Sequence, residues 1–438
     1  MNPRFQFCEL EEHPLRQQLN NEFHARPPLP IIGPVLVTHL VFKGGGSAID
    51  GERENLTRLC QSQVCNSIER SDTHLTVDAG SFRLRWERHT EFSSYTFFRP
   101  LVAGEPLQAE VTAFDAVLPE WLAAIPGKLM VATHVELRSA DETKPESVLA
   151  DLAASGRQMV ASQVADGAAW IFTDFKIDNG FSRFLVIDVA LTRRQAGRTI
   201  QRLVEIETYR MMALLGLPVA KAVGGTLHAA EKRLAEMMDH IGEANSPEDE
   251  RKVLANLTQL AAEVEHGVAR TTFRFGASNA YHRLVMQRIE ELRETRIRGL
   301  PTFEEFMQRR LQPAMNTCVA MSRRLEDLSG RVARNSQLLR TRVDVELERQ
   351  NQEQLSQMNR RARLQLRLQE TVEGLSVVVL TYYGSQLVQY LAKGTKDLHY
   401  LNTDIITAIS IPVIAGLVAW GTHRMRRKLS AEEGEATH

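Results

Sequence analysis

In the stretch NEFHARPPLP, Glu22, His24 and Arg26 set a carboxylate, an imidazole and a guanidinium on alternate positions. A second stretch, LRWERHTEF, repeats the theme with Arg85, Glu87, His89 and Glu91, and Leu84 and Trp86 fall among them. Alternate residues of extended backbone share a face, so each set is expected to point one way. Neutral imidazole and carboxylate are suitable cation ligands, and histidine titrates near neutrality. The two sets therefore describe a cation site or an acid–base pair, with His24, Glu87, His89 and Glu91 as the candidate metal ligands. On a wet strand face the same residues would make only cross-strand ion pairs. Familiar catalytic patterns are missing: there is no Gly-x-x-x-x-Gly-Lys phosphate loop, no Gly-x-Ser-x-Gly elbow, no His-Glu-x-x-His helix and no dinucleotide glycine motif. A divalent cation is thus the one cofactor to consider, and no other is predicted. KGGGSAIDG reads as a turn. RTTFRFGASNAYHRL sets Arg270, Arg274, His282 and Arg283 around an expected helix start, either an anion site or an interhelical turn.

The elements that must hold these residues fall into two textures. From Pro34 to about Leu191 come short β-rich runs such as VLVTHLVF, EFSSYTFFR, LMVATHVEL and FSRFLVIDVAL, punctuated by KGGGS, DAGS and DNGF. Residues 1–191 are therefore expected to form an α+β domain with a mainly antiparallel sheet. From Thr192 the apolar positions recur at helical spacing, and 192–371 is expected to be a bundle of long helices. Helices are placed over 193–240, 248–267, 279–297, 303–332 and 335–371, with breaks at EANSPED, FRFGASN and RGLPTF. In the last of them Val343, Leu347, Asn351, Leu355, Met358 and Ala362 form an amphipathic seam. It packs within the bundle or, as a self-associating stalk, uses Asn351 to fix register.

Residues 372–422 hold two apolar runs, GLSVVVLTYYGSQLVQYLA and IITAISIPVIAGLVAWG, both free of charge. Each approaches the roughly twenty residues that cross a hydrocarbon layer. Ser385, Gln386 and Gln389 are costly against lipid and require a partner helix or a wet path. Arg360, Arg361, Arg363 and Arg367 precede the first run, and Arg424, Arg426, Arg427 and Lys428 follow the second; cytoplasmic flanks collect such charge. The reading is a transmembrane hairpin with both ends inside, followed by a basic and then acidic tail, 423–438.

Composition narrows the partners. The chain of 438 residues has 53 basic and 54 acidic side chains, so no overall positive field attracts nucleic acid. Four cysteines without a Cys-x-x-Cys pair read as reduced thiols; Cys60 and Cys65 with His74 would be an unusual zinc set. The first thirty residues lack the apolar core of a secretory signal.

HPLRQQLNNEFHARPP, RWERHTEFSSYTFFR, VEIETYRMMALLGLP, TTFRFGASNAYHRLVMQRIEEL, LLRTRVDVELERQNQ and TVEGLSVVVLTYYGSQLVQYL together resemble the motif series of a bacterial domain-of-unknown-function family of membrane-anchored proteins. The resemblance covers nearly the whole chain. It implies a protein of the bacterial inner membrane with a large cytoplasmic part, and supplies no activity or catalytic residues. The layout is also similar to two-helix magnesium channels, but their Gly-Met-Asn signature is missing and the link between the runs is sparse in acidic residues. Three readings follow: a membrane-anchored scaffold that self-associates through its helices, an oligomeric ion channel or transporter, or a metal-dependent enzyme using the Glu/His face.

Overall fold

The computed structural model describes residues 13–24, 27–44, 48–62, 67–70, 73–102, 104–107, 112–113, 115, 117–156, 158–243, 246–394 and 403–435. Contacts divide the chain into one unit made of 1–243 with 255–336 and a second made of 244–254 with 337–438.

After helix α1 (Arg16–His24), the first unit runs β1 (Val35–Lys43), α2 (Ala48–Ser62), β2 (Ser67–Arg70), β3 (His74–Asp78), β4 (Arg83–Arg88), β5 (Ser93–Pro100) and α3 (Pro119–Ala123). It continues with β6 (Lys128–Ser139), α4 (Pro145–Ser155), β7 (Val160–Val164), β8 (Ala169–Thr173) and β9 (Ser182–Asp188). With the short β10 (Thr295–Arg296) the described strands form one sheet in the order β10-β7-β8-β9-β6-β1-β5-β4-β3-β2. All neighbours are antiparallel except β6 and β9. The sheet is therefore mixed, and the exception has a simple origin. Two successive segments each run strand, helix, then a meander back to the first strand. The meander after α2 has four strands, so β5 returns antiparallel to β1; the meander after α4 has three, so β9 returns parallel to β6. β2 and β3 escaped the sequence reading because they are short and carry charge.

Alternation along the strands sorts two faces. On one, Leu75, Leu84, Trp86, Tyr95 and Phe97 pack under Leu56 and Leu59 of α2 and Trp121 of α3. Trp121 donates its indole N–H to the Asn55 carbonyl at 2.7 Å, fastening α3 to α2. Further along the same face Ala161, Phe172, Leu185 and Ile187 pack with Val148 of α4. Full burial of each large side chain is worth roughly 1.5–3 kcal/mol.

The opposite face lies under α5 (Arg193–Leu214), which contacts β6. A capping box starts α5: Thr192 Oγ1 accepts from Gln195 N, and the Gln195 side chain accepts from Thr192 N. The helix expected over 193–240 divides at Leu215 into α5 and α6 (Gly216–Glu243). Gly216 fits where a Cβ would meet Ser278 Oγ at 2.6 Å, and Pro218 falls in the first turn of the new helix, where its missing N–H is harmless.

Next come α7 (Pro247–Leu292), α8 (Phe303–Arg310), α9 (Gln312–Gly394) and α10 (Thr403–Glu435). EANSPED and RGLPTF do interrupt the helices, but FRFGASN does not: α7 runs straight through it. Burial of Phe275 and, further along the helix, of Val285 and Ile289 outweighs the roughly 1 kcal/mol helix penalty of Gly276. No helix start lies at Arg270, Arg274, His282 and Arg283, so the anion-site reading there is corrected.

The helix expected over 335–371 is likewise not separate; it is the middle of the 83-residue α9, which carries on through the first apolar run. Within the second unit the seam residues Leu347, Asn351, Leu355, Met358 and Ala362 of α9 are exposed and Val343 is half-buried. Of the two apolar runs, Ile405–Arg424 in α10 has the length and apolarity of a membrane span, and none of that window is buried. The end of α9 falls short of that apolarity. A stretch of α5 and α6, Arg193–Ile241, also passes, but part of it is core against the sheet. The end of α9 touches α10 at Gly384, where a Cβ would lie 2.9 Å from Ile414 Cγ2. The link 395–402 lies outside the described residues.

Gly197 gives a direct test of the α5 packing. A Cβ there would lie 1.9 Å from the Leu29 carbonyl oxygen, so Gly197→Ala should lower stability by roughly 3 kcal/mol in thermal unfolding of the detergent-solubilised protein. Gly225→Ala, at a helical position with open space around it, should leave the melting temperature unchanged or raise it.

Candidate functional site

Between the sheet and α5, within the first unit, lies a cavity of about 260 Å³. Three strands supply its floor: β1 contributes His39, β4 contributes Arg85 and Glu87, and β5 contributes Ser94, Thr96 and Phe98. Ile200, Gln201, Val204, Glu205, Thr208 and Tyr209 of α5 form the roof, and Arg288 of α7 closes one side. Leu29 and Ile31, from the proline-rich run after α1, close another. That run is pinned twice, by Ile31 N donating to the Arg193 carbonyl at 3.0 Å and by Arg85 Nη1 donating to the Pro27 carbonyl at 2.9 Å.

Charges around the cavity are arranged in pairs. Arg85 Nη2 meets Glu87 Oε1 at 2.7 Å, with the two side chains only 8% and 15% exposed. Arg288 donates to Glu205 and, at 3.0 Å, to Glu291. Gln201 Nε2 donates to Glu205 Oε1 at 2.8 Å, which turns its amide oxygen the other way; Gln201 Oε1 is buried without a hydrogen-bond partner. Burial, reinforced by Glu205, pushes the Tyr209 phenol well above its ordinary value, so it stays protonated and available as a donor.

His39 is the group least like a solvent-facing histidine. It is completely enclosed, with Nδ1 2.8 Å from Thr96 Oγ1 and Nε2 3.0 Å from Thr208 Oγ1. Thr208 spends its single O–H on the Val204 carbonyl at 2.7 Å, so toward His39 it can only accept. The imidazole proton is therefore on Nε2, and Nδ1 accepts from Thr96. Burial, with a smaller push from His89, lowers the pKa to about 3, and the ring is neutral at physiological pH. With both nitrogens engaged it serves as a strut from sheet to helix and not as a base or metal ligand.

The residues singled out from the sequence divide unevenly. Arg85 and Glu87 do share the sheet face opposite Leu84 and Trp86, and both line the cavity. β4 ends at Arg88, so His89 and Glu91 belong to the turn after it and not to a strand face. His89 lines the cavity and stacks on Phe92 at 4.4 Å, whereas Glu91 turns away to a bidentate ion pair with Arg274 at 2.8 and 3.0 Å. Glu22 and His24 sit on α1, where residues two apart do not face the same way, so the extended alternation expected for them is corrected. Their side chains, and Arg26 and Cys65 entirely, lie outside the described residues. Among the described residues no three His, Cys, Asp or Glu side chains gather as metal ligands.

His39, Thr96, Gln201, Glu205, Thr208, Tyr209 and Arg288 were not foreseen. Their signals are a histidine inside the apolar run VLVTHLVF, and the polar set Glu205, Thr208 and Tyr209 at helical spacing beside Val204.

The chain matches, over residues 11–429, a family described as protein of unknown function. It belongs to DUF3422. The DUF3422 match takes in every residue of the cavity and the apolar run of α10. No curated protein matches the chain.

His39 predicts acid sensitivity with a definite sign. Its folded pKa of about 3 lies below the ordinary 6.5, so the unfolded state binds more protons between those values. The stabilisation is complete above about pH 6.5 and is lost progressively as pH falls toward 3, the loss reaching roughly 2 kcal/mol by pH 5. His134, lowered to about 4 mainly by burial, adds in the same direction. Melting temperatures of the solubilised protein from pH 8 to 5 should fall accordingly, and His39→Gln should flatten the profile while lowering stability at pH 8.

Proposed function

We propose that this DUF3422 protein is a membrane-anchored scaffold, held in the bilayer by a helical hairpin made from the end of α9 and the first part of α10. The observation that carries the reading is the unburied apolar run Ile405–Arg424. A solvent-exposed surface of that size in water would be an aggregation liability, whereas hydrocarbon accepts it.

The polar character of α9 supports a paired second span. Ser385, Gln386 and Gln389 are all partly covered, whereas Leu375, Val378, Leu387 and Leu391 are exposed at 64%, 66%, 64% and 64%. Ser385 Oγ donates to the Tyr382 carbonyl at 2.8 Å, and Gln386 Nε2 reaches the Tyr382 hydroxyl at 3.3 Å, so these groups find partners within the helix. Gly384 lets α10 approach closely, as small residues do between helices in lipid. At the far end of the α10 run Arg424 lies over the Trp420 ring at 5.2 Å, a pairing suited to the headgroup region. The basic flanks favour both hairpin ends on the cytoplasmic side, and the exposed seam of α9 from Leu347 to Met358 suits association of copies at the membrane.

Fractionation and topology test this reading. The full chain should resist extraction by alkaline carbonate and require detergent, a chain ending at residue 371 should leave the membrane fraction, and a reporter fused after Lys428 should be active on the cytoplasmic side only. Gly384→Leu should weaken protease protection of the hairpin. Release of the full chain by carbonate would overturn the anchoring, and reporter activity outside would overturn the hairpin.

A further inference from the structure

The cavity over β1, β4 and β5 has features that a passive packing defect does not require. Two ion pairs, Arg85 with Glu87 and Arg288 with Glu205, stand at its walls with most of their surface out of water. Replacing a buried pair by apolar residues of similar volume is often neutral or stabilising, so packing alone does not call for two such pairs around one space. Between them the walls are apolar: Ile31, Phe92, Phe98, Ile200 and Val204 are each less than a tenth exposed. One acceptor, Gln201 Oε1, is buried and unsatisfied, and its orientation is fixed because the amide nitrogen is committed to Glu205.

We propose that this cavity binds a small zwitterion of the α-amino-acid type with an apolar side chain. The charges decide the class. Two guanidinium groups and two carboxylates sum to zero, His39 adds nothing, and His89, also in the lining, adds at most one positive charge, a balance that disfavours polyanions such as nucleotides and metal cations alike. Each guanidinium has five N–H donors in a planar fork, and Arg85 spends two of them on Glu87 and Pro27, so a ligand carboxylate has donors to meet. A ligand ammonium brings three donors, the group that Gln201 Oε1 lacks and that Glu87 or Glu205 compensates. The apolar walls take the side chain, and the volume, just under the roughly 300–1,000 Å³ typical of drug-sized pockets, limits the ligand to about the scale of leucine or phenylalanine.

The test is a calorimetric or thermal-shift titration of the full chain in detergent with L-leucine and L-phenylalanine. N-acetyl-L-phenylalanine, which lacks the ammonium, and L-phenylalaninamide, which lacks the carboxylate, serve as comparisons. The unblocked amino acids should bind saturably, and each blocked analogue should bind at least about tenfold more weakly, the loss of one charge-assisted contact. Val204→Phe, which fills the space, should abolish the response while the protein still melts cooperatively; the analogue series decides the matter even where that variant fails to fold. Absence of saturable binding by both amino acids, equal binding of the blocked analogues, or an unchanged response in a folded Val204→Phe protein would each overturn the assignment. None of these outcomes depends on whether the C-terminal helices cross a bilayer.

Discussion

A helix can lie on a sheet only where each charged group it covers finds a partner, and α5 covers a face that carries Arg85, Glu87 and His39. The cost of burying an isolated charge exceeds what any single contact returns, so the pairing comes before the packing. Arg85 is satisfied from within its own strand by Glu87 and from the chain entry by the Pro27 carbonyl. His39 is satisfied by one threonine from the sheet and one from the helix, which fixes the height of α5 above β1. Gly197 then allows the backbone of the entry segment to cross the start of α5 at a distance that no side chain would permit. The cavity is what remains when these polar struts hold the helix away from the sheet.

This dependence explains what the sequence could and could not disclose. Alternation in RWER was enough to place Arg85 and Glu87 on one face and Leu84 and Trp86 on the other, because strand geometry is local. The change of texture at Thr192 marked the start of α5, because a capping box is also local. By contrast, Glu205 and Arg288 meet across 83 positions of sequence, and Thr208 reaches His39 across 169. No spacing rule joins such residues. Glu22 and His24 misled for a related reason: alternation of types means extended backbone only if the segment is a strand, and RQQLNNEFH contains enough helix-forming residues to become α1. The uninterrupted α7 shows tertiary packing overriding a local breaker, since buried Phe275 adjoins Gly276 and Val285 and Ile289 are buried further along the same helix.

The C-terminal helices illustrate the same limit at another scale. A hydropathy average treats a helix as a cylinder with one character, but the end of α9 has two sides. Its exposed side carries leucine and valine, and the side bearing Gly384 and Ser385 is partly covered, with Gly384 against α10. Tyr382, Tyr383 and Tyr390 are exposed as well, and averaging all of these gives a value below that of the Ile405–Arg424 run.

The two strand–helix–meander segments of the sheet share one design and differ in the side chains they carry. β1 and β6 are antiparallel neighbours at the middle of the sheet, and each opens a segment of the same design with its crossover helix on the same face. On the opposite face the two segments diverge. Beside β9 rings dominate the packing: Phe175 meets Phe184 at 5.6 Å and stacks on Phe306 at 5.0 Å, and Phe303 lies against both Phe175 and Phe184, while a second cavity of about 280 Å³ opens beside Phe175 and Phe306 with Asp174, Lys176, Arg210 and Arg310 in its lining. Beside β4 and β5 the corresponding ground holds arginine, glutamate, threonine and histidine around open space. What sets the ground over β4 and β5 apart is that its charges stand as enclosed pairs, Arg85 with Glu87 and Glu205 with Arg288, maintained against the desolvation of four charged groups.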